Sequence, residues 1–588
     1  MAHKIRSLIS SKVSRALEGV LSGTREAKPS TVLPYIQVDP QASQAPEFKL
    51  SLRDLQQRGL TNSADRLKGL ATFGSSLVET FETDTLVPAV YLKQTKADVR
   101  LNFKVSPSQL VSDVVDTITD RPKDFWRTSG LVSLLPPQRV VVEYSSPNIA
   151  KPFHVGHLRS TIIGNFVGNI CSAVGHSVTR LNFLGDWGTQ FGLLKYGCDT
   201  QGLTVADLQE DAITKLHQAY VYANQRAAED PKVAQTARET FTRMEEGEPA
   251  DLSAWETYRE LSLIDLKRVY GRLNVSFDEY HGESMYPQEA CREVLQAMEN
   301  AGLLRTLSDG RKVYPVNPNQ DVTIEKSDGS TLYITRDVAA ALDRFNRYAF
   351  TRMIYVVENG QSDHFTALFS ILRALGHRWA EDGLSHVKFG RVRGMSSRKG
   401  TAVALEDLLD GARHLMSEKQ QTSKTTRVSS QASAEELAVS SVIVGDLKQR
   451  RQRDYEFSWG KALQASGDTG VKLQYTHCRL LSLEQHCGVA PRPRVSTAPL
   501  VEPQALALVT EIARFDEVLV EAYHELEACV LVAYLFRLCS ATNAAFKVLP
   551  IKSAPQEVAE ARLALFLAAR HTLAAGMALL GLRPMTRM

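Results

Sequence analysis

Glu143-Tyr-Ser-Ser-Pro-Asn148-Ile-Ala-Lys151-Pro-Phe-His154-Val-Gly-His157 follows the apolar, β-branched run Arg139-Val-Val-Val142, which reads as a buried strand. It precedes Leu158 to Val174, whose helical spacing ends at Gly175-His176. Two histidines and a glycine therefore sit at the first turn of a helix that leaves the C-terminal end of a strand. In an open α/β sheet that is where nucleotides bind. The free N–H groups and the positive dipole end of the helix favour phosphate there. His154 and His157, three residues apart, are spaced to donate to one triphosphate. Gly156 has no side chain, so a flat base can lie against the backbone. A string of this length arises by chance; strand, loop, string and helix in this order carry the reading.

The segment resembles the HIGH signature of class I aminoacyl-tRNA synthetases. The longer stretch from Ser146 to Asn165 is similar to arginyl-tRNA synthetases in particular, as are Gly185-Asp-Trp-Gly-Thr-Gln-Phe-Gly192, Leu332-Tyr-Ile-Thr-Arg-Asp337 and Leu473-Gln-Tyr-Thr-His-Cys-Arg479. The matches run in family order from about residue 95 to Met588. The resemblance implies an α/β architecture: a Rossmann-like class I catalytic domain, a small N-terminal α/β module and a C-terminal α-helical anticodon-binding bundle. It also implies a ligase that joins arginine to AMP from ATP, with Mg²⁺ accompanying the nucleotide, and passes the arginyl group to tRNA(Arg). A monomer is expected. A class I ligase for cysteine or leucine would not need the acidic set described below. A non-catalytic RNA-binding descendant would not need His154, Gly156 and His157.

A chain of 588 residues is too long for one core and should form two to four domains. Its apolar (43%) and charged (23%) fractions are those of an ordinary globular protein. No run of eighteen apolar residues stands out, so no membrane span is expected. The seven cysteines form no C-x-x-C pair and keep no zinc spacing with histidines, so no structural metal is expected, and they suit a reducing compartment. Residues 1–30 differ from the rest. They hold Lys4, Arg6, Lys12, Arg15, Arg25 and Lys28 against Glu18 and Glu26, a net +4 within a whole-chain +3. Ile5, Leu8, Ile9, Val13, Leu17 and Leu21 recur at roughly helical spacing. A basic, Ser-rich, amphipathic, acid-poor start reads as a mitochondrial presequence, hence a matrix location. Without it the chain is near neutral, so RNA would have to meet local patches.

The expected organisation follows. Residues 31–125 form the N-terminal module, closing on an edge strand at Val99–Val105. Residues 126–418 form the catalytic domain, with strands at 139–144, 177–183 and 352–357 and a mostly helical insertion at about 200–320. Residues 419–434, rich in Ser, Thr, Gln and Lys, read as a mobile linker. Residues 435–588 form a helical bundle.

The first reaction step is in-line attack of a carboxylate on the α-phosphorus, so positioning and cationic stabilisation do most of the work. His154 and His157 fit that role. The resemblance implies that Gly156, Met395 and Ser396 complete the nucleotide site. Class I enzymes usually carry K-M-S-K-S as a second cationic element. Here the matching stretch is Gly394-Met-Ser-Ser-Arg-Lys-Gly400, with both motif lysines replaced, by Gly394 and Ser397. Lys151, just ahead of the signature, is the candidate substitute, with Arg398 and Lys399 as assistants. A guanidinium is best held by carboxylates and planar acceptors. The resemblance maps the arginine site onto Glu143, Asn148, Tyr333, Asp337 and Gln361; Tyr333 and Asp337 share a face if their segment is helical. Gln474, Tyr475 and Arg479 match a tRNA-binding signature in the bundle, with helix packing as an equal explanation. The basic run Lys448–Arg453 reads as a solvated helix face.

Overall fold

A computed structural model describes the chain apart from residues 1, 22–26, 41–45, 62–66, 97, 150, 152, 394–403, 423–429, 457, 459, 461–463, 465 and 466. At its centre lies a five-stranded, all-parallel sheet. Across it the strands run Leu384–Phe389, Arg352–Glu358, Arg139–Glu143, Ser177–Leu184 and Glu279–Gly282. The chain starts at the middle strand, winds outward to one side and returns to the other. The switch point therefore falls at the C-terminal end of Arg139–Glu143, where a ligand crevice forms in such sheets. Val140, Val141 and Val142 are all buried, as expected for a strand covered on both faces. The signature helix spans Val155–Ala173. It lies close on the strand end: a Cβ at Gly164 would come within 2.2 Å of the Tyr144 ring.

The N-terminal module is a four-stranded antiparallel sheet ordered Gln37–Asp39, Glu47–Ser51, Val99–Lys104, Ala89–Gln94. Val99–Lys104 is thus an interior strand, paired on both sides. Its alternation reflects one face on the core, with Val99, Leu101 and Phe103 buried. Helix Leu67–Thr80 covers the module's sheet, and helix Pro107–Asp120, which follows it, packs against Pro503–Ala513 and Gln556–Leu579.

Three further boundaries differ from expectation. The helical insertion runs from Thr189 to Arg272, after which Glu279–Gly282 supplies the outer strand of the central sheet and residues 305–325 form a small antiparallel sheet. The linker is narrower than 419–434. Helix Leu405–Thr422 runs into it, helix Gln431–Leu447 starts within it, and only 423–429 lie outside the described residues. Within residues 1–30, the stretch from His3 to Val20 packs into the fold. His3–Val20 is a helix whose Ile5, Ile9, Val13 and Leu17 are buried in the main core, with Arg6 buried as well.

The bundle comprises Gln431–Leu447, Gly470–His486, Pro503–Ala513, Phe515–Glu525, Ala528–Val548 and Gln556–Leu579. Ala528–Val548 is long and apolar enough to cross a bilayer by length and composition. Here it is a core helix, packed against Gly470–His486, Pro503–Ala513 and Gln556–Leu579.

Candidate active site

Directly after Glu143-Tyr144 the backbone turns through two non-glycine residues of positive φ, Ser145 (75°) and Ser146 (48°). Such strain persists only where surrounding contacts over-determine it. The Ser145 N–H donates to Ser160 Oγ (2.9 Å), the Ser145 hydroxyl meets the Tyr270 hydroxyl (2.8 Å), and the Ser146 N–H donates to Asn182 Oδ1 (3.1 Å). This turn redirects the chain from the strand into the signature. Sequence reading passed over both serines because serine is unremarkable in a loop.

His154 is the N-cap of the signature helix. Its Nδ1 accepts from the Gly156 N–H at 3.0 Å. One of the helix's free donors is therefore used internally, and the neutral His154 ring carries its proton at Nε2, where it can donate. The glycine has a local reason too: a Cβ at Gly156 would sit 2.7 Å from the His154 ring. The His154 and His157 rings stack with centroids 3.9 Å apart, and Phe153 stacks on His157 at 5.1 Å. Burial lowers the pKa of His157 to about 3, with smaller contributions from His154 and Lys151. Burial also lowers that of His154, and Lys151 adds to the effect. Both imidazoles are therefore neutral donors at neutral pH. Lys151 stands over the Tyr220 ring at 5.2 Å, on the insertion helix Ala212–Glu229, and it is near enough to be felt by both histidines. Met395, Ser396, Arg398 and Lys399 lie outside the described residues. The segment that follows them returns to the signature: the Leu405 N–H donates to the Phe153 carbonyl at 2.7 Å, and Ala404 bridges His154.

A second group lies beside this one. Asp337 sits on helix Tyr333–Tyr348, one turn after Tyr333, so the pair does share a helix face. The helix begins at Tyr333 with Leu332 at its N-cap position, so Asp337 lies in its second turn and not at its cap. Asp337 Oδ2 is 2.7 Å from His364 Nε2, and both side chains are about a quarter exposed. Glu143 is buried at the end of its strand and pairs with Arg344 Nη1 at 2.5 Å. Burial pushes the Glu143 carboxyl above its ordinary value; Arg344 opposes this, and Asp337 reinforces it. Arg344 also lies over the Phe183 ring at 4.7 Å. Among the described residues, the buried Arg344 Nε has no hydrogen-bond partner in this cluster. Asn148 and Gln361 are exposed at the strand ends, Asn148 bridging Gly185 and Gln361 closing a 3₁₀ turn before helix Ser362–Ala374. Arg344 and His364 were not singled out from sequence. Arg344 lies seven residues after Asp337, on the same face of one helix, which was a usable signal.

Asp186 of the Gly185–Gly192 motif is fully buried. It accepts from Arg259 Nε (2.8 Å), the Ser284 N–H (2.9 Å) and the Ser284 hydroxyl (2.9 Å), tying the strand end to the insertion.

In the bundle, Gln474 is fully buried. Its Nε2 donates to Ser440 Oγ (2.8 Å) and the Arg583 carbonyl (2.9 Å), and its Oε1 accepts from the Met585 N–H (2.9 Å). Its amide is satisfied internally, so the expected RNA contact is corrected to a packing role. Tyr475 and Arg479, four residues apart on the same helix, are exposed; Arg479 lies over the Phe546 ring at 4.2 Å. Lys448–Arg453 is a turn, not a helix face. Arg451 Nη1 donates to the Lys388 carbonyl (2.8 Å), and the Arg451 N–H donates to Glu527 (3.1 Å), joining the bundle to the outer sheet strand.

Comparison with known proteins agrees with this architecture. Residues 130–459 match the family model for class I tRNA synthetases (R), catalytic domain, and residues 473–588 match the DALR anticodon binding domain. The chain is 40% identical over 596 residues to a probable mitochondrial arginine–tRNA ligase of Bos taurus, covering 100% of both. It is 41% identical over 582 residues to that of Homo sapiens, covering 98% of this chain and 99% of the relative. The fold superposes on the arginyl-tRNA synthetase of Thermus thermophilus with TM-score 0.79 at 21% identity, covering 99% of this chain and 100% of that one. It superposes on that of Plasmodium falciparum with TM-score 0.78 at 22% identity, covering 100% and 99%. The chain belongs to the arginyl-tRNA synthetases of class I and is an arginine–tRNA ligase, a parallel α/β catalytic domain followed by a DALR helical bundle.

Proposed function

We propose that the chain charges mitochondrial tRNA(Arg) in the matrix, through an arginyl-adenylate, for mitochondrial translation. The observation that carries the chemistry is the meeting, at the switch point of one sheet, of a helix N-terminus capped by His154 with the carboxylates Glu143 and Asp337. In this reading Asp337 is the charged partner of the substrate guanidinium, and arginine takes the place that His364 holds beside it. Glu143, already paired with Arg344, acts as a fixed acceptor, with Asn148, Tyr333 and Gln361 around the pocket mouth. The arginine carboxylate then faces the α-phosphorus of ATP, and Mg²⁺ arrives with the nucleotide. His154 donates through Nε2–H, the helix end and His157 stabilise the charge that builds on phosphate oxygens, and Lys151 supplies the ammonium missing from the motif positions held here by Gly394 and Ser397. Gly156, Met395 and Ser396 border the adenine, with Arg398 and Lys399 assisting. Tyr475 and Arg479 present an aromatic and a cationic group to RNA on the bundle surface. Support for the location comes from the similarity to ligases named mitochondrial.

The test is arginine-dependent pyrophosphate exchange, with and without tRNA, on wild type and Asp337→Asn. Arginine should support exchange where cysteine and leucine do not. Asp337→Asn should weaken arginine binding by about 2–5 kcal/mol, the cost of truncating one partner of a hydrogen-bonded charge pair. Calorimetry showing unchanged arginine affinity would remove Asp337 from the pocket.

A further inference from the structure

The helix His3–Val20 has the composition of an import signal, yet it occupies the junction of three parts of the fold. Arg6 is 1% exposed. Its Nη1 donates to Asp516 Oδ2 at 2.7 Å, its Nη2 to Glu517 Oε1 at 2.6 Å, and its Nε to the Ile36 carbonyl at 3.0 Å. Asp516 and Glu517 start helix Phe515–Glu525 of the bundle. The same two carboxylates accept from the Ser129 hydroxyl (2.6 Å), where the catalytic domain begins, and from the Val38 N–H (2.8 Å) of the N-terminal module. Around this node the His3 ring accepts from the Gly130 N–H at 3.1 Å, and Lys12 Nζ pairs with Asp84 at 2.9 Å while donating to the Glu82 carbonyl at 2.7 Å.

We propose that this helix is retained in the working enzyme, so that any targeting signal it carries is read on the unfolded chain and then buried in the fold, not cut away. The clause on targeting rests on the mitochondrial reading above; the structural clause does not. Its apolar stripe of Ile5, Ile9, Val13 and Leu17, the face an amphipathic signal offers to a receptor groove, is the face that fills the core. The two uses exclude each other in time: the signal is available before folding and hidden after it. Cutting behind residue 20 would strip the guanidinium from Asp516 and Glu517 and leave buried carboxylates without their cation, a strongly destabilising change. It would also uncover the apolar faces of Leu67–Thr80 and Pro107–Asp120, against which the helix packs.

The experiment has two arms. The full chain, tagged at its C-terminus, is isolated from mitochondria and its N-terminal peptide is identified by mass spectrometry. A peptide containing Arg6 supports the proposal, and a mature N-terminus at residue 21 or beyond overturns it. Absence of the tagged chain from mitochondria would defeat the location reading and pass the decision to the second arm. There, protein lacking residues 2–20 is made in bacteria beside Arg6→Met and Arg6→Lys. The deletion should be insoluble, or melt at a lower temperature and regain solubility and activity when a peptide of residues 2–21 is added in trans. Arg6→Met should melt lower than Arg6→Lys. A soluble deletion with the melting temperature and charging rate of the full chain would overturn the proposal, whatever the location.

Discussion

The hydrogen bond from the Gly156 N–H to His154 Nδ1 decides which imidazole nitrogen is left for a ligand. A neutral ring that accepts at Nδ1 carries its proton at Nε2. His154→Ala therefore removes one donor and, at the same time, the N-cap of the signature helix. The activation rate in single turnover should fall by about 10²–10³, the loss typical of one donor aimed at developing charge, while arginine affinity measured by calorimetry stays within error. Equal loss of arginine binding would mean the ring serves the amino-acid pocket instead. His157 makes a prediction about acid. Its folded pKa, about 3, lies below the ordinary histidine value of 6.5. Between the two the unfolded chain binds a proton that the folded chain refuses, so this contribution is complete above about pH 6.5 and is lost as pH falls. The urea midpoint should drop between pH 6.5 and 4, and more steeply in wild type than in His157→Gln. Parallel slopes would show that His157 is not the group responsible.

At the scale of elements, the sequence revealed those whose period is strong. The strand at Arg139–Glu143, the signature helix and the strand at Arg352–Glu358 lie within about a residue of their expected bounds, because continuous apolar runs and a clear cap mark them. Glu279–Gly282 was hidden inside the expected helical insertion. Four residues, Glu-Tyr-His-Gly, have no apolar run, and only their pairing with Leu181–Leu184 makes them a strand. The positive-φ turn at Ser145–Ser146 was equally invisible, since its support comes from Ser160, Asn182 and Tyr270, far apart in sequence. The loop before the signature also carries the sharpest departure from the class I pattern. If Lys151 replaces the missing loop lysine, Lys151→Ala should slow adenylate formation far more than it weakens ATP binding, since a lysine that merely attracts ATP acts on ground and transition states alike. Ser397→Lys in that background should recover part of the rate. Single-turnover activation of wild type, both single variants and the double variant measures this. A wild-type rate in Lys151→Ala would turn attention to Arg398 and Lys399. The cost of freeing Lys151 from the Tyr220 face is small, about 0.5–1 kcal/mol for a partly exposed cation–π contact, so the interaction does not hold the ammonium away from a phosphate.

At the scale of the molecule, the signature helix is joined to the bundle through one buried side chain. Arg159, two residues after His157, is 2% exposed. Its Nε lies 3.1 Å from Asp446 Oδ1 on helix Gln431–Leu447; its Nη1 donates to the carbonyls of Gly390 (2.5 Å) and Arg453 (2.9 Å), and its Nη2 to that of Arg450 (3.4 Å). Tyr455 donates to the same Asp446 oxygen at 2.5 Å. Gly390 precedes the short strand Val392–Arg393 and Tyr455 opens the short strand Tyr455–Glu456; the two pair in parallel, immediately before the Gly394–Gly400 loop. One guanidinium thus ties together the helix that carries His154 and His157, the root of the second cationic loop and the start of the bundle. Removing it has two separable consequences. Arg159→Met leaves Asp446 buried without its cation, which should cost about 3–5 kcal/mol of stability, and it takes the guanidinium donor from the Gly390 and Arg453 carbonyls, while the Arg450 carbonyl keeps the Arg453 N–H. Adding Asp446→Leu removes the stranded charge, and replacing both members of a buried pair by apolar groups is often close to neutral, so the double variant should recover much of the melting temperature. The carbonyls at Gly390 and Arg453 gain nothing from leucine, and the root of the loop stays unanchored. Activation by the double variant should therefore remain slow while its stability returns, with ATP affinity and rate both reduced. Thermal unfolding and single-turnover activation, measured on wild type, the single variant and the double variant, separate the two. If rate and stability recover together, Arg159 is a packing residue only, and the bundle communicates with the signature helix by another route.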